Sequence, residues 1–380
     1  MTTAQDNLTE QAPERVEKTM AYTKKIDFHS HFLTDTYCRY LDEYEGEAPD
    51  DFPTPKWSEE GQLKLMDQLG IAFSFLSISS PNLSKAEKDT EAALVHTINT
   101  EGAAIVRNHP DRFGLFAGLP LPHVEEAIRE ARFAVEELGA DGFGLSTNYA
   151  GVYLGDPQYD PLMEYLDSIG AVIAIHPVKP GRLPKGVNGE LPIPAMEFLV
   201  DTTRTYTYMV THDIFERYPR IKWIFPHAGA FISILSDRMY GFAMQFRNRL
   251  SYPVPMDFKA DMRRVYFDMA GFPINKQLHD LLLDVPADNL LYGSDAPYTP
   301  TIACIAQTGG LETTEILTEG EKAAMFTQNA VQMFPKLSGI LGVSPDTGTV
   351  CYQDNPLTLS ERFWRRIRTF ISKVYDRIFA

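Results

Sequence analysis

Residues 25–31 read KIDFHSH, a short apolar strand signal that ends in two histidines separated by one serine. Side chains two apart on a β-strand point to the same face, so His29 and His31 can reach one cation. Later strand signals end in the same kinds of residue, since His176 closes AVIAIH and Asp295 closes NLLYGSD. This repetition predicts a fold in which several strand ends meet at one rim.

Outward from this strand, eight short β-rich runs alternate with longer segments of helical periodicity. The runs are KIDFH (25–29), AFSFLSIS (72–79), FGLFAGLP (113–120), DGFGLST (141–147), AVIAIH (171–176), IKWIFPH (221–227), RVYFDMA (264–270) and NLLYGSD (289–295). Near-continuous apolar strands are typical of a parallel sheet that is buried on both faces. Eight such units favour the α/β class, as a closed but distorted (β/α)₈ TIM barrel, over an open doubly wound sheet. No G-x-G-x-x-G follows the first strand, which argues against a Rossmann fold.

One catalytic domain is predicted over residues 24–340, with an extension at each end. Residues 1–23 are polar and unpatterned, and we expect them to be disordered. The extension 341–380 is predicted to end in an amphipathic basic helix. Its apolar face carries Phe363, Ile367, Phe370, Val374 and Ile378, and its opposite face carries Arg362, Arg365, Arg366, Lys373 and Arg377. We expect this helix to dock on the barrel or on a sister subunit, in preference to an anionic membrane.

Composition excludes several classes of partner. The chain of 380 residues has a formal net charge of −16, so we expect no nucleic-acid partner, because phosphates would be repelled. Apolar stretches are too short for a membrane-spanning helix, and the polar N-terminus lacks a signal peptide. A cytoplasmic location is therefore expected. The three cysteines are far apart and fit neither a disulfide framework nor a thiolate metal site.

The strand-end residues form a candidate metal site. The carboxyl ends of all strands of a TIM barrel converge on the rim where active sites lie. The predicted ligands are His29, His31, His176 and Asp295. Imidazole nitrogens with one carboxylate suit Zn²⁺, and also Mn²⁺, so we predict one divalent metal ion per chain, with zinc preferred and manganese as the alternative. Asp268, which ends the seventh strand signal, is expected to accept a hydrogen bond from a ligand histidine.

Six motifs carry a resemblance to a known family: DFHSHF, NHPDRFGLFAGLPL, GADGFGLSTN, AIHPVKP, ERYPRIKWIFPHAGAF and LLYGSDAPYTP. Over most of residues 25–336 the chain resembles the amidohydrolase superfamily, in the decarboxylase branch related to aminocarboxymuconate-semialdehyde decarboxylase. Within that branch, WSEEGQLKLMDQLGIAFSFLSISSP and NYAGVYLGDP are most similar to 6-methylsalicylate decarboxylase-like proteins. The resemblance supports the four predicted ligands.

The resemblance also implies roles for residues around the metal. His227 matches a non-ligand histidine that orients or deprotonates the reacting water, although the residues alone also allow it to be a fourth histidine ligand. Arg238 matches an arginine that crosses a dimer interface to bind the substrate carboxylate, which implies a homodimer or a dimer of dimers. It can also be a plain surface residue. Asn148 and Tyr149, after the fourth strand, are candidates for the substrate pocket or for a turn, and Asp201 is expected to cap a helix.

Two features separate this chain from other branches. Binuclear amidohydrolases place a carboxylated lysine on the fourth strand, but DGFGLST contains neither lysine nor glutamate, so a mononuclear site follows. Ala228 and Ala230 stand where the family often has glycine, and we expect their methyl groups to narrow the pocket.

The reaction implied by the resemblance is non-oxidative decarboxylation of a small aromatic acid, such as a 2-hydroxybenzoate, or of an unsaturated carboxylic acid. Asp295 is then the proton donor, and His227 holds or removes a proton. The ligand set alone leaves open hydrolysis of an amide, ester or lactone at the same mononuclear site. A catalytically idle barrel used for binding is a third possibility.

Overall fold

The computed structural model describes Tyr22 and residues 24–246, 257–343 and 359–379. Apart from Tyr22 and Lys24, the predicted N-terminal extension and its boundary lie outside these residues, as does 344–358 of the C-terminal extension. In the described part of the chain, no helix is both long enough and apolar enough to span a bilayer.

Eight parallel strands pair in sequence order. They are β1 (Lys25–His31), β2 (Ile71–Ser77), β3 (Phe113–Ala117), β4 (Gly142–Ser146), β5 (Val172–His176), β6 (Lys222–Phe225), β7 (Tyr266–Asp268) and β8 (Leu290–Leu291). Two parallel bridges, from Asp27 to Tyr292 and from Ser30 to Ala296, connect the chain after β8 back to β1. These bridges close the sheet, and the predicted (β/α)₈ barrel is confirmed.

Helices surround the sheet. They are α1 (Asp35–Tyr40), α2 (Glu59–Leu69), α3 (Lys88–Asn108), α4 (Val124–Glu136), α5 (Asp160–Ser168), α6 (Ile193–Thr211), α7 (Ile214–Arg217), α8 (Ile232–Phe246), α9 (Phe258–Met262), α10 (Lys276–Leu281), α11 (Thr301–Thr313), α12 (Glu319–Ala323), α13 (Asn329–Met333), α14 (Leu337–Leu341) and α15 (Leu359–Phe379). A short antiparallel hairpin, Asn148–Tyr149 with Val152–Tyr153, follows β4 on the side where β4 ends.

The segment from α2 to β2 shows how local sequence sets these boundaries. The Ser58 side chain accepts a hydrogen bond from the backbone N–H of Gly61 and so caps the first turn of α2. At the other end Gly70 adopts a left-handed conformation, with φ of 70°, that ends the helix. Strand β2 begins at the next residue, Ile71. A single residue therefore connects the helix to the strand that follows it in the barrel.

Phenylalanine side chains fill the amino-terminal end of the barrel. Phe75 and Phe116 stack with ring centroids 4.7 Å apart and planes inclined by 2°. Phe28 packs 4.9 Å from Phe75, and Phe334, from the segment after α13, reaches the same ring at 4.7 Å. All four belong to one buried apolar cluster with Ile26. This end is therefore a packed core, and any reaction site lies at the opposite end.

Helix α15 packs on the barrel through a face that includes Arg368. Arg368, which is buried, donates two hydrogen bonds to the carboxylate of Glu312 on α11 and one to the carbonyl of Gln68. Gly309 allows this close approach, because a Cβ there would lie 2.6 Å from the Arg368 carbonyl oxygen. The predicted apolar residues Phe363 and Phe370 remain exposed. The buried ion pair of Arg368 with Glu312, together with the packing of the partly buried Ile371 against the core, thus holds the helix on the barrel.

Candidate metal centre

Three histidines and one aspartate meet inside the carboxyl-terminal rim of the barrel. One ligand atom from each of His29, His31, His176 and Asp295 lies within 4.8 Å of the others. The ring centroid of His31 is 5.0 Å from that of His29 and 4.8 Å from that of His176. Asp295 Oδ1 lies 3.5 Å from Nε2 of both His29 and His31. The structure therefore brings together all four predicted ligands.

The unpaired nitrogen atoms of this cluster fit a divalent metal ion. His29 Nε2, His31 Nε2 and His176 Nδ1 are buried and have no hydrogen-bond partner. Burying a polar nitrogen without a partner costs free energy, so such atoms normally indicate a ligand. Neutral imidazoles with one carboxylate are the donors that first-row divalent metals prefer.

Asp268 binds His29, one of the four predicted ligands, on the side away from the cluster. Its Oδ2 lies 2.9 Å from His29 Nδ1, and its Oδ1 accepts hydrogen bonds from the backbone N–H groups of His227 and Ala270. The predicted hydrogen bond between Asp268 and a ligand histidine is confirmed. Burial disfavours the His29 imidazolium, but the Asp268 carboxylate outweighs burial and raises the pKa of His29 to about 9. Because Nδ1 is bound to Asp268, Nε2 is the His29 atom that faces the other predicted ligands, and a metal ion there would take the place of its proton.

The other imidazoles are held neutral. Burial, with the neighbouring His31 and His29, holds the pKa of His176 well below its usual range. Burial and the charge of His29 lower the pKa of His227 to about 4. Neutral imidazole is the form that ligates a metal or accepts a proton at neutral pH.

A strained backbone positions Asp295. Its strand was predicted to run to residue 295, but β8 ends at Leu291 and Asp295 has a φ of 60°. Its N–H donates to the carbonyl of His29 at 2.7 Å, and the Thr299 hydroxyl donates to Oδ2 at 2.8 Å. Burial disfavours the charged carboxylate, but the close approach of His31 and the charges of His29 and His31 hold the Asp295 pKa below its usual range.

The segment after β6 places His227 beside the cluster. The His227 ring centroid is 5.1 Å from that of His29, and its Nδ1 is buried without a hydrogen-bond partner. Within the described residues, the group whose ligand atoms converge does not include His227. Gly271, with a φ of 74°, allows the close approach, because a Cβ there would lie 2.7 Å from His227 Cδ2. Ala228 and Ala230 have φ values of 51° and 56°, a backbone region that favours glycine.

The residues after β4 divide between a cavity and a turn. Tyr149 lines a small cavity together with His176 and Ser79, and its hydroxyl accepts from the N–H of Ser146. The Asn148 amide is engaged elsewhere, because its oxygen accepts from Gly151 N–H and its nitrogen donates to Asp201 Oδ2 at 2.8 Å. A pocket role for Asn148 stays a prediction.

The prediction that Asp201 caps a helix was wrong. Helix α6 begins at Ile193, so Asp201 lies in its interior, and it is buried. Its carboxylate accepts hydrogen bonds from the hydroxyls of Thr147 and Tyr153 as well as from Asn148. The sequence did not indicate this role because the helix begins eight residues before Asp201, with a proline in its first turn. Asp201 therefore fastens the post-β4 hairpin to α6.

Arg238 lies apart from the metal cluster. It is exposed on α8, where its guanidinium stacks 5.1 Å from the ring centroid of Phe242. Ile234 and Tyr240 are exposed on the same helix. Within one chain, Arg238 does not belong to the site.

Sequence reasoning missed the aromatic and hydroxyl groups that surround the ligands. The Tyr298 ring lies edge-on to His31 at 5.7 Å, and its buried hydroxyl has no hydrogen-bond partner. The Phe198 ring lies edge-on to His176 at 5.9 Å, and the Ser79 hydroxyl is 3.4 Å from His176 Nε2. Their positions in the sequence could have indicated this role. Ser79 lies two residues after the end of β2, and Tyr298 lies three residues after Asp295.

A buried cluster of three histidines and an aspartate on this rim defines a TIM-barrel enzyme that binds a divalent metal ion. The family model described as Amidohydrolase matches residues 26–336, and the chain belongs to that family. Strand β4 comprises GFGLS and lies within the segment predicted for the fourth strand, and the mononuclear site inferred from it stays a prediction.

Several proteins similar to this chain are decarboxylases. Decarboxylase yanB of Aspergillus niger is 32% identical over 326 residues, covering 82% of this chain and 88% of its own. The 6-methylsalicylic acid decarboxylase of Penicillium expansum is 31% identical, covering 83% and 98%. A crystal structure of an amidohydrolase II is 38% identical with a TM-score of 0.77, covering 82% of this chain and 99% of that one. The predicted decarboxylase branch is thereby confirmed.

Proposed function

We propose that this protein is a metal-dependent carboxy-lyase that removes CO₂, without oxidation, from a small aromatic acid of the 2-hydroxybenzoate class. The observation that carries the proposal is the buried cluster of unpaired imidazole nitrogens beside Asp295, in a chain whose relatives are decarboxylases. In this proposal His29, His31, His176 and Asp295 hold one divalent ion, with zinc as the first candidate and manganese as the second. When bound, the ion supplies Lewis-acid polarisation and a template for the carboxylate and its neighbouring hydroxyl.

Proton delivery to the ring falls to Asp295. Cleavage of the bond between the ring and the carboxyl group leaves an electron pair on the ring carbon, and that carbon must receive a proton. Asp295 is the carboxyl group on the rim that faces both His29 and His31, and Thr299 fixes its other oxygen. Asp295 is ionised at rest because its pKa lies below the usual range, so it first takes up a proton from water when the acid binds. It passes that proton to the ring carbon as CO₂ leaves, and it returns to the ionised form.

His227 accepts a hydrogen bond from the substrate hydroxyl that lies next to the carboxylate. Its imidazole is neutral at pH 7 because burial and His29 lower its pKa to about 4. The unpaired Nδ1 can accept a hydrogen bond from the substrate hydroxyl, while Asp268 holds the backbone of His227 in place. His227 therefore orients the ring without binding the metal.

The substrate carboxylate is bound across a subunit interface. In this proposal Arg238 of one protomer reaches the site of its partner, as in a homodimer or a dimer of dimers. The exposed apolar neighbours Ile234 and Tyr240 on α8 support such an interface. Tyr149, which lines the cavity beside His176, contributes an apolar wall for the ring.

A panel of 2-hydroxybenzoates that includes 6-methylsalicylate tests the proposal. Metal-replete protein is expected to release CO₂ in equal amount to a single ring product. Asp295→Asn should slow release about a thousandfold, because both a ligand and the proton donor are changed. Asp288→Asn, at an exposed carboxylate away from the rim, should leave the rate unchanged.

Two outcomes would reject decarboxylation. One is no CO₂ from any acid in the panel when the protein holds one metal ion per chain. The other is turnover of an ester, amide or lactone of these acids into hydrolysis products that carry solvent oxygen, without CO₂ release from the free acids, which would identify the site as that of a hydrolase.

A further inference from the structure

The C-terminal helix α15 presents an exposed apolar stripe. Leu359, Phe363, Phe370 and Val374 are 86%, 56%, 68% and 38% exposed. At 100° per residue these four side chains fall within an arc of about 60° on one face of the helix. Large apolar side chains that share one exposed stripe indicate a surface that another molecule covers.

The contact with the barrel leaves this stripe facing outward. Arg368, the buried residue that joins α15 to Glu312, lies about 150° around the helix from the centre of the stripe. The bidentate pair between the two side chains fixes the rotation of the helix. Lys25 adds a second positive charge 2.7 Å from Glu312, and the Glu312 carboxylate is buried. The stripe therefore faces away from the barrel.

The helix is basic although the chain is acidic. Residues 359–379 contain six basic and two acidic residues, a net charge of +4, whereas the whole chain has a net charge of −16. Arg366 and Lys373 are exposed and lie along one edge of the apolar stripe. An apolar stripe bordered by basic side chains matches the boundary between anionic headgroups and acyl chains.

We propose that α15 docks the protein on an anionic lipid surface, with Leu359, Phe363, Phe370 and Val374 in the interface and Arg366 and Lys373 at the headgroups. The helix is about 31 Å long and lies parallel to the membrane plane. Charge favours this occupant over a second copy of the stripe, because two copies would bring two helices of charge +4 together. Repulsion between the anionic headgroups and the negatively charged remainder of the protein is screened beyond about 8 Å at physiological salt.

Vesicle sedimentation of the full-length protein tests this proposal. Vesicles of phosphatidylcholine with about 30 mol% phosphatidylserine should carry down the wild type, and pure phosphatidylcholine should carry down far less. Added salt should weaken the binding. Phe363→Ser with Phe370→Ser should reduce binding more than tenfold, because two aromatic side chains no longer enter the interface. Arg366→Glu with Lys373→Glu should abolish the preference for anionic vesicles.

A matched control uses another exposed leucine. Leu283, which lies two residues after the end of α10 and is 72% exposed, is changed to serine. Leu283→Ser should bind vesicles as the wild type does, and circular dichroism should show that all variants are folded. Equal sedimentation with neutral and anionic vesicles, or no sedimentation of the wild type, would overturn the proposal. So would a smaller oligomer for the double phenylalanine variant in vesicle-free ultracentrifugation, which would make a second copy the occupant.

Discussion

At the amino-terminal end of the barrel, Phe28, Phe75 and Phe116 pack ring against ring in a buried apolar cluster. At the carboxyl-terminal end of the same strands, buried imidazoles lack partners, and Asp295 is held in a left-handed backbone conformation. One end gains free energy from apolar burial, and the other stores unpaired polar groups and backbone strain. Stability and chemistry are thus separated along the barrel axis, and substitutions at the two ends should have different effects.

The largest effect is expected from His176→Ala at the carboxyl-terminal end. The variant should lose metal and slow turnover about a thousandfold or more, because one of four ligands is removed. Elemental analysis of the purified protein, alongside CO₂ release, measures both. His96→Ala, at a half-exposed histidine on α3, serves as the control and should keep wild-type metal content. A His176 variant that retained one metal ion per chain would remove this residue from the ligand set.

A substitution at the amino-terminal end of the barrel should instead lower the stability of the fold. Phe116→Ala removes a stacked ring from a closed cluster and should lower the free energy of unfolding by about 3–5 kcal/mol. Metal content and turnover per folded molecule should not change. Urea denaturation and a kinetic assay on the folded fraction provide the comparison. Loss of metal at temperatures where the variant is still folded would show that the two ends are coupled.

A smaller effect is expected behind the ligands. Asp268→Asn keeps the shape of the side chain but removes the charge that orients His29, so metal affinity should fall about 10- to 100-fold. Competition with a chromogenic chelator measures the affinity. Asp288→Asn is the control for loss of one carboxylate. An unchanged affinity would mean that Asp268 only holds the backbone of His227 and Ala270.

The smallest effect concerns a buried carboxylate on α3, away from both ends. Neither oxygen of Glu91 has a hydrogen bond, although His123 Nε2 comes within 3.3 Å of one of them. Burial raises the pKa of Glu91 to about 8. Because this folded-state pKa lies above the unfolded value, its contribution is most favourable at low pH and is lost as pH rises through about 8.

Glu91→Gln should therefore raise Tm by a few degrees at pH 9, where the wild-type carboxylate is charged, and should change it little at pH 4. Differential scanning calorimetry at both pH values measures the shift. Glu87→Gln, an exposed carboxylate near the start of the same helix, should have no such pH-dependent effect. A lower Tm for Glu91→Gln than for the wild type at pH 9 would mean that the charged Glu91 carboxylate stabilises the folded protein.

Much of this division was predictable from sequence. Strand periodicity gives the eight barrel strands, and residue spacing brings His29 and His31 to one face. The end of β5 at His176 followed from the same pattern. These features are local, since each depends on neighbours within a few residues.

The remaining features depend on packing between distant segments. Tyr298 meets His31, and Asp201 meets Thr147, only after the barrel has closed. The contact of Arg368 with Glu312, which docks α15 on the barrel, was not predicted for the same reason. An amphipathic pattern predicts burial of the apolar stripe, whereas the buried pair of Arg368 with Glu312 turns that stripe outward.

The fate of the bond to the carboxyl group separates a decarboxylase from a hydrolase in a single measurement. The best acid from the panel is turned over in D₂O, and the ring product is examined by NMR and mass spectrometry. Decarboxylation with proton delivery from Asp295 predicts one deuterium on the carbon that carried the carboxyl group, with the rest of the ring unchanged. A product that carries solvent oxygen and no deuterium at that carbon would contradict the proposed reaction.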